Sequence, residues 1–210
     1  MSQPAPHRRP ALLLTTALTA VAFASGALAQ PAVDARPAGG QVVAGQASIA
    51  QSQARTTVNQ ASQRAAVNWQ GFDVGANHTV QFAQPNANAV VLNRVVGPNP
   101  SEIAGRVEAN GQVVIVNQAG VLFHKGAQID TAGLVVSAAG ISNSNFMAGR
   151  MAFDQPAKPG AKVENRGTIS VRDQGLAALV APQVANSGVI RANMGTVVMA
   201  GAEAHTLDLY

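Results

Sequence analysis

The 210-residue chain contains no cysteine, which excludes both a disulfide framework and a thiolate metal site. Aromatic residues make up only 4% of it. A globular core leans on Phe, Tyr and Trp for buried area, so this scarcity suits a narrow interior filled by Val, Ile, Leu and Ala. Charged residues are sparse as well, at 11%. No cluster of Lys and Arg with aromatics between them is present, and nucleic-acid binding needs such a cluster, so no nucleic-acid partner is expected. Beyond residue 29 no apolar run approaches the ~20 residues of a membrane-spanning helix.

The first 29 residues have the pattern of an export leader. Arg8 and Arg9 form a positive start, Ala11 to Ala24 an apolar stretch, and Ala27-Leu28-Ala29 a small-x-small cleavage signal before Gln30. Removal of this segment takes away two of the 14 basic residues and none of the 10 acidic ones, so the formal charge falls from +4 to +2. The expected route is general secretion, since no cofactor motif follows that would require folding before twin-arginine export. The expected location is secreted or at the cell surface, by way of the periplasm. Without thiols, no cross-link can lock the chain in that oxidising compartment.

What is present is a succession of short apolar runs. Between Asn110 and Val136, the runs Val113–Val116, Val121–Phe123 and Leu134–Val136 are separated by Asn117 and Gly120, by Gly126, and by Asp130 and Gly133. None is long enough for an ordinary helix, and they recur about every eight to twelve residues, as short strands do. Apolar almost throughout, they fit strands stacked in parallel around a buried interior; Gly and Asn between them supply positive-φ corners. An antiparallel sandwich shares these features. An internal repeat favours the coil: Val163-Glu-Asn-Arg-Gly-Thr-Ile-Ser recurs as Val184-Ala-Asn-Ser-Gly-Val-Ile-Arg, with Asn165/Asn186, Gly167/Gly188 and Ile169/Ile190 each 21 residues apart. A recurrence of about 20 residues is one turn of a solenoid. Stacking would set Asn165 above Asn186, with their amides hydrogen-bonded along the stack.

Around this centre, residues 30–66 read as a flexible start that becomes a loosely paired cap, with a short strand at Val42-Val43 and Ile49. Regular structure is expected from about Val67. Trp69, Phe72 and Phe82, three of the eight aromatics, suggest closure of a hydrophobic column at one end. Gly97-Pro98-Asn99-Pro100 forces a turn, and Ser101-Glu102-Ile103 is expected to open a short helical turn. Gly140 to Pro159 reads as a loop or hairpin outside the coil. Thr206 to Tyr210 looks like a strand; an open final coil would expose unpaired edges, so the chain is expected to be a fragment or to stop in mid-coil.

Catalytic chemistry finds little support. A β-helical polysaccharide enzyme needs paired carboxylates or Asp clusters holding Ca²⁺. The ten acids are scattered; Asp130 and Asp173 follow turns and could lie one or two coils apart, but solvated turn carboxylates are the plainer reading. His78, His124 and His205 are too far apart for a metal motif and are expected at the surface. No nucleophile elbow and no phosphate loop occurs. A β-helical adhesin or carbohydrate-binding face is the other alternative, although no surface aromatic row marks one. The expectation is no enzyme, no metal and no cofactor.

Three segments then carry a resemblance. NWQGFDVGANHTVQF, VVLNRVVGPNPSEIAGRVEANGQVVIVNQAGVLFHKGAQIDTAGLVVSA and VENRGTISV closely resemble the N-terminal secretion domain of two-partner-secretion exoproteins, the filamentous haemagglutinin and high-molecular-weight adhesin family. The resemblance runs from about Val67 to Tyr210. It implies an all-β fold, a right-handed parallel β-helix with an N-terminal cap and a small extra-helical loop or hairpin. It also implies a secretion-targeting function. A dedicated outer-membrane β-barrel transporter would recognise the domain through its periplasmic domains, by strand addition to a sheet edge, and the passenger would fold coil by coil outside. Host or neighbouring-cell contacts would belong to a passenger region after residue 210. By family carry-over, Asn110 and Gly111 of the NGQ turn and Asn117 and Gly120 are recognition or structural-turn residues. The family's Asn-Pro-Asn-Gly turn here reads Asn117-Gln118-Ala119-Gly120, which keeps the outer pair and loses the φ-fixing Pro and the inner Asn.

Overall fold

The structure, a computed structural model, describes Met1 and residues 30–207. The leader expected over residues 1–29 therefore lies, beyond Met1, outside the described residues, as do Asp208 to Tyr210.

Among the described residues, twenty strands and one short helix follow in order. An N-terminal pair, β1 (Gln41–Ala44) and β2 (Ala47–Gln51), precedes the regular coils. These run through β3 (Arg55–Gln60), β4 (Arg64–Trp69), β5 (Thr79–Ala83), β6 (Val90–Val95), β7 (Ser101–Ile103), β8 (Arg106–Ala109), β9 (Gln112–Asn117), β10 (Gly120–Phe123), β11 (Gln128–Thr131) and β12 (Gly133–Ser137). An excursion holds α1 (Asn143–Met147) and β13 (Met151–Phe153). The coils resume with β14 (Lys162–Asn165), β15 (Thr168–Val171), β16 (Leu176–Ala181), β17 (Gln183–Asn186), β18 (Val189–Ala192) and β19 (Thr196–Gly201), and β20 (His205–Leu207) ends the described chain.

These strands build a right-handed parallel β-helix with three faces. Sheet I runs β1-β4-β6-β9-β12-β16-β19, sheet II runs β7-β10-β14-β17, and sheet III runs β2-β3-β5-β8-β11-β15-β18. Each full coil visits III, then I, then II. Among the described residues every pairing within the coils is parallel; the antiparallel pairs lie in the cap, β1 on β4 and β2 on β3, and outside the coils, β13 on β20. That excludes the sandwich. The repeat is one coil: Asn165 registers on Asn186 and Ile169 on Ile190, and the Asn165 amide donates to Asn186 Oδ1 at 2.8 Å.

Burial explains the two sequence textures. In sheet III one face is wet, so β11 alternates exposed Gln128 and Asp130 with buried Ile129 and Thr131. Sheet I is covered on both faces. Val113 and Ile115 of β9 point into the central column, while Val114 and Val116 join a second cluster with Ile141, Phe146, Met151 and Phe153 of the excursion. Gly140 to Pro159 thus lies outside the coil, as expected, and it is the lid that keeps sheet I apolar on its outer side. Ser142 caps α1, its hydroxyl accepting Asn145 N–H at 3.1 Å, and β13 pairs antiparallel with β20.

The column closes at its N-terminal end. Trp69 and Phe72 meet edge to face at 5.7 Å, and Trp69 Nε1 donates to buried Asn93 Oδ1 at 3.0 Å. Gly40 lies so close that an added Cβ would stand 2.4 Å from the indole. Val42, Ala47 and Ile49 complete the cap from above.

Three expectations need correction. Regular strands begin at Gln41 rather than near Val67, and the first coil begins at Arg55. Its inward residues, Thr56 and Val58, are fully buried but are too short and too diluted by Gln, Asn and Arg to stand out in sequence. Ser101-Glu102-Ile103 is a strand: registry with Val121–Phe123 supplies cross-coil hydrogen bonds that one isolated helical turn cannot match. His78 and His124 are buried, at 0% and 3% exposure. His78 donates from Nδ1 to Gln53 O at 3.1 Å and accepts from the Thr56 hydroxyl at Nε2, 2.9 Å away. Burial lowers its pKa.

Candidate functional site

The four residues carried over from the family do not form one site. Asn110 and Gly111 lie at the corner from sheet III to sheet I, Asn117 and Gly120 at the corner from sheet I to sheet II, at opposite ends of β9.

At the first corner the Asn110 side chain imitates a strand neighbour. Its Oδ1 accepts Gln84 N–H and its Nδ2 donates to Gln84 O, both at 2.7 Å. Gln84 is in turn buried, its amide donating to Gln60 Oε1, Ala89 O and Gln112 O. Gly111 donates to Gln84 Oε1 at 3.1 Å. A column of side-chain amides thus replaces the backbone pairing that corners lose. Asn110 also borders a cleft of about 500 Å³ on the outer face of sheet III, with Gln81, Glu108, Asp130 and Arg172.

At the second corner Asn117 is 1% exposed, and its amide is used inside the fold. Nδ2 donates to Asn99 O and Ser101 Oγ, both at 3.0 Å, and Oδ1 accepts Ala119 N–H at 2.9 Å. Gly120 has φ of +110°. What this corner offers a partner is its outer surface, where the excursion crosses: Gln118 Nε2 donates to Pro156 O at 2.6 Å, Lys158 N–H to Gln118 O at 2.8 Å, and Lys158 Nζ to Pro98 O at 3.2 Å.

Register also assembles groups that sequence spacing did not suggest. On the outer face of sheet II, Leu122 lies between Glu102 and Glu164. His124 Nε2 bonds Glu102, and both Lys162 Nζ and Arg166 Nε reach Glu164 at 2.7 Å. The Arg166 hydrogen bond, against the opposing effect of burial and with help from Lys162, lowers the Glu164 pKa to about 2. On sheet III, Asp130 stands directly beside Glu108, which Arg106 approaches at 3.5 Å. Asp173 borders a different groove, on sheet I. The detectable signal for these pairs was spacing of about one coil between residues on successive strands. Among the described residues no group of three or more His, Asp or Glu stands together in a metal-holding arrangement, and no helix is long and apolar enough to cross a membrane.

With this geometry in place, the family profile of the TPS (two-partner-secretion) secretion domain matches residues 34–209. The chain belongs to that family. The crystal structure of the HMW1 secretion domain from Haemophilus influenzae superposes with a TM-score of 0.75 at 34% identity, covering 81% of this chain and 46% of that one. A heme/hemopexin-binding protein of Haemophilus influenzae is 35% identical over 182 residues, covering 82% of this chain and 20% of the relative. A second heme/hemopexin-binding protein from that species is 43% identical over 83 residues, 40% of this chain and 9% of the relative. The chain thus spans about a fifth of the first of these exoproteins. This TPS domain keeps the family architecture with an Asn-Gln-Ala-Gly corner in which buried Asn117 still ties three groups together.

Proposed function

We propose that this TPS domain is the export-targeting and folding-initiating segment of an adhesin-like exoprotein. After leader removal at Gln30, the periplasmic domains of a cognate outer-membrane β-barrel transporter recognise it. Outside the cell it becomes the first completed part of the β-helix.

The observation that carries the proposal is the asymmetry of the two column ends. The N-terminal end is closed by Trp69, Phe72 and the antiparallel cap. At the opposite end of the described residues, β17, β18 and β19 are three parallel edges. Val197 and Met199 register on the inward residues Ala177 and Leu179 yet remain 46% and 43% exposed. A further coil laid on these edges would bury them, at roughly 1.5–3 kcal/mol for a fully covered aliphatic side chain. Edge backbone groups would template its strands as the existing coils template one another. Parallel pairing is slow to nucleate because loops must close first; a preformed end removes that step for the passenger coils. Neither the adjacent Glu108 and Asp130 nor any histidine here sits in a constellation that outweighs this reading, and the function proposed is not enzymatic.

The test is co-expression of the chain, fused to a neutral reporter passenger, with and without its transporter. The expected result is reporter in the medium only when both TPS domain and transporter are present, and slower passenger folding when Val197 and Met199 are changed together to Asp. Transporter-independent release, or passenger folding indifferent to that double change, would refute the proposal.

A further inference from the structure

Resting on that reading, we propose that β2 is the strand on which the transporter docks, by addition of an amphipathic β-strand from its periplasmic domains to the free edge of the cap. Among the described residues β2 pairs with β3 alone, at the end of sheet III.

The direction of its backbone groups follows from ladder alternation. Ala61 N–H donates to Gln46 O and Ser52 N–H to Arg55 O, so positions 46, 48, 50 and 52 exchange hydrogen bonds with β3. In an antiparallel ladder the intervening residues face the other way. The N–H and C=O groups of Ala47, Ile49 and Gln51 therefore point to the open edge. The register of β2 is unbroken over five pairs, Ala47↔Gln60 to Gln51↔Thr56.

Side chains set the chemistry of the partner. Ala47 and Ile49 pack on the central column while Ser48 and Ala50 are exposed. A strand added beside them must be apolar at every second position to continue that inward row.

Of the other edges, β17 and β19 belong to the end that the passenger's next coil extends, and the rest are less suited. β1 carries a register shift between Val42 and Ala44, β7 carries Glu102 and β18 carries Arg191. Exposed edges are ordinarily protected by charge, proline or a bulge. Between Arg36 and Arg55 there is no charged residue at all, and β2 has neither proline nor bulge. Docking at β2 also leaves β17, β18 and β19 free to receive the passenger's next coil while the transporter still holds the domain.

The experiment uses the processed chain purified from the periplasm of cells lacking the transporter, mixed with the transporter's isolated periplasmic domains, and reads residue-resolved amide exchange. Exchange at Ala47, Ile49 and Gln51 should slow on binding, and exchange across Val189–Ala192 and Thr196–Gly201 should not. Ala47→Pro removes one outward donor without touching the β3 ladder, a substitution edge strands tolerate, and should weaken binding about tenfold, the value of one hydrogen bond. Ser48→Pro, which breaks the ladder bond to Asn59, should lower thermal stability more than Ala47→Pro does. Binding with protection elsewhere, or unaltered affinity in a folded Ala47→Pro chain, would overturn the docking edge and leave the secretion role standing. Absence of any binding, together with transporter-independent release, would overturn both.

Discussion

Gly120 offers the most direct measurement of how tightly the coils constrain a corner. It opens β10 with φ of +110°, and a Cβ built there would stand 2.4 Å from Lys162 O and 3.0 Å from Lys162 N. Lys162 is its registered neighbour in β14, so the obstacle is backbone of the next coil and not a side chain able to swing away. Gly120→Ala therefore meets two costs. Holding a non-glycine residue in that region amounts to about 1–3 kcal/mol, and forcing the rungs apart adds an overpacking penalty of about 1–3 kcal/mol. Gly126 separates the two. Its φ of +97° is similar, but nothing lies within 4 Å of its virtual Cβ, so Gly126→Ala meets the first cost alone. Thermal unfolding of purified variants should place Gly120→Ala lower than Gly126→Ala by about 2 kcal/mol, a Tm difference of about 4–8 °C for a domain of this size. Gly120→Val should be worse than Gly120→Ala, because a β-branched side chain is the least compatible with positive φ. The ratio of secreted to periplasmic protein on co-expression with the transporter should fall in the same order. Equal Tm for Gly120→Ala and Gly126→Ala would show that the β10–β14 rung yields freely, and wild-type secretion by Gly120→Val would remove this corner from any part in export.

Three further outcomes are expected. Asn117→Ala leaves Asn99 O, Ser101 Oγ and Ala119 N–H without their partner and should destabilise by about 2–3 kcal/mol in urea unfolding, more than a single lost turn bond; a loss under about 1 kcal/mol would mean water replaces the amide. The Glu164 carboxyl, at about 2 when folded against an ordinary value of 4.5, contributes stability that is present above pH 4.5 and is lost as pH falls toward 2. Glu164→Gln should flatten that part of the acid limb of Tm against pH, and an unchanged limb would refute the pairing with Arg166 and Lys162. Mass spectrometry of periplasmic protein should find Gln30 at the N-terminus, and an intact Met1 or a start beyond about residue 45 would refute the assignment of Ala27-Leu28-Ala29 as the cleavage signal.

The sequence by itself determined the coil. Short apolar runs, corner glycines and the 21-residue recurrence of Asn165 and Ile169 are local, periodic features, and a solenoid is built from contacts between neighbouring repeats, so its repeat length is printed in the chain. The role of Gly120 was legible for the same reason: a turn's backbone demand acts on the residue that makes it. The order of motifs was enough to indicate the family, with the outer Asn and Gly of its turn retained. What only the tertiary structure decided depends on which coil lies above which. Ser101-Glu102-Ile103 carries no strong propensity, and registry with β10 makes it a strand. Arg55–Gln60 is polar in sequence, and it forms a coil strand because Thr56 and Val58 face inward beside β5. His78 and His124 look like surface residues in one dimension; they are buried because Thr56, Gln53 and Glu102, each more than twenty residues away, come round one coil to meet them. The division of the carried-over residues between two corners is decided by β9 lying straight between them. So is the free edge of β2, because which strand lacks a neighbour is a property of the stack and not of any segment within it.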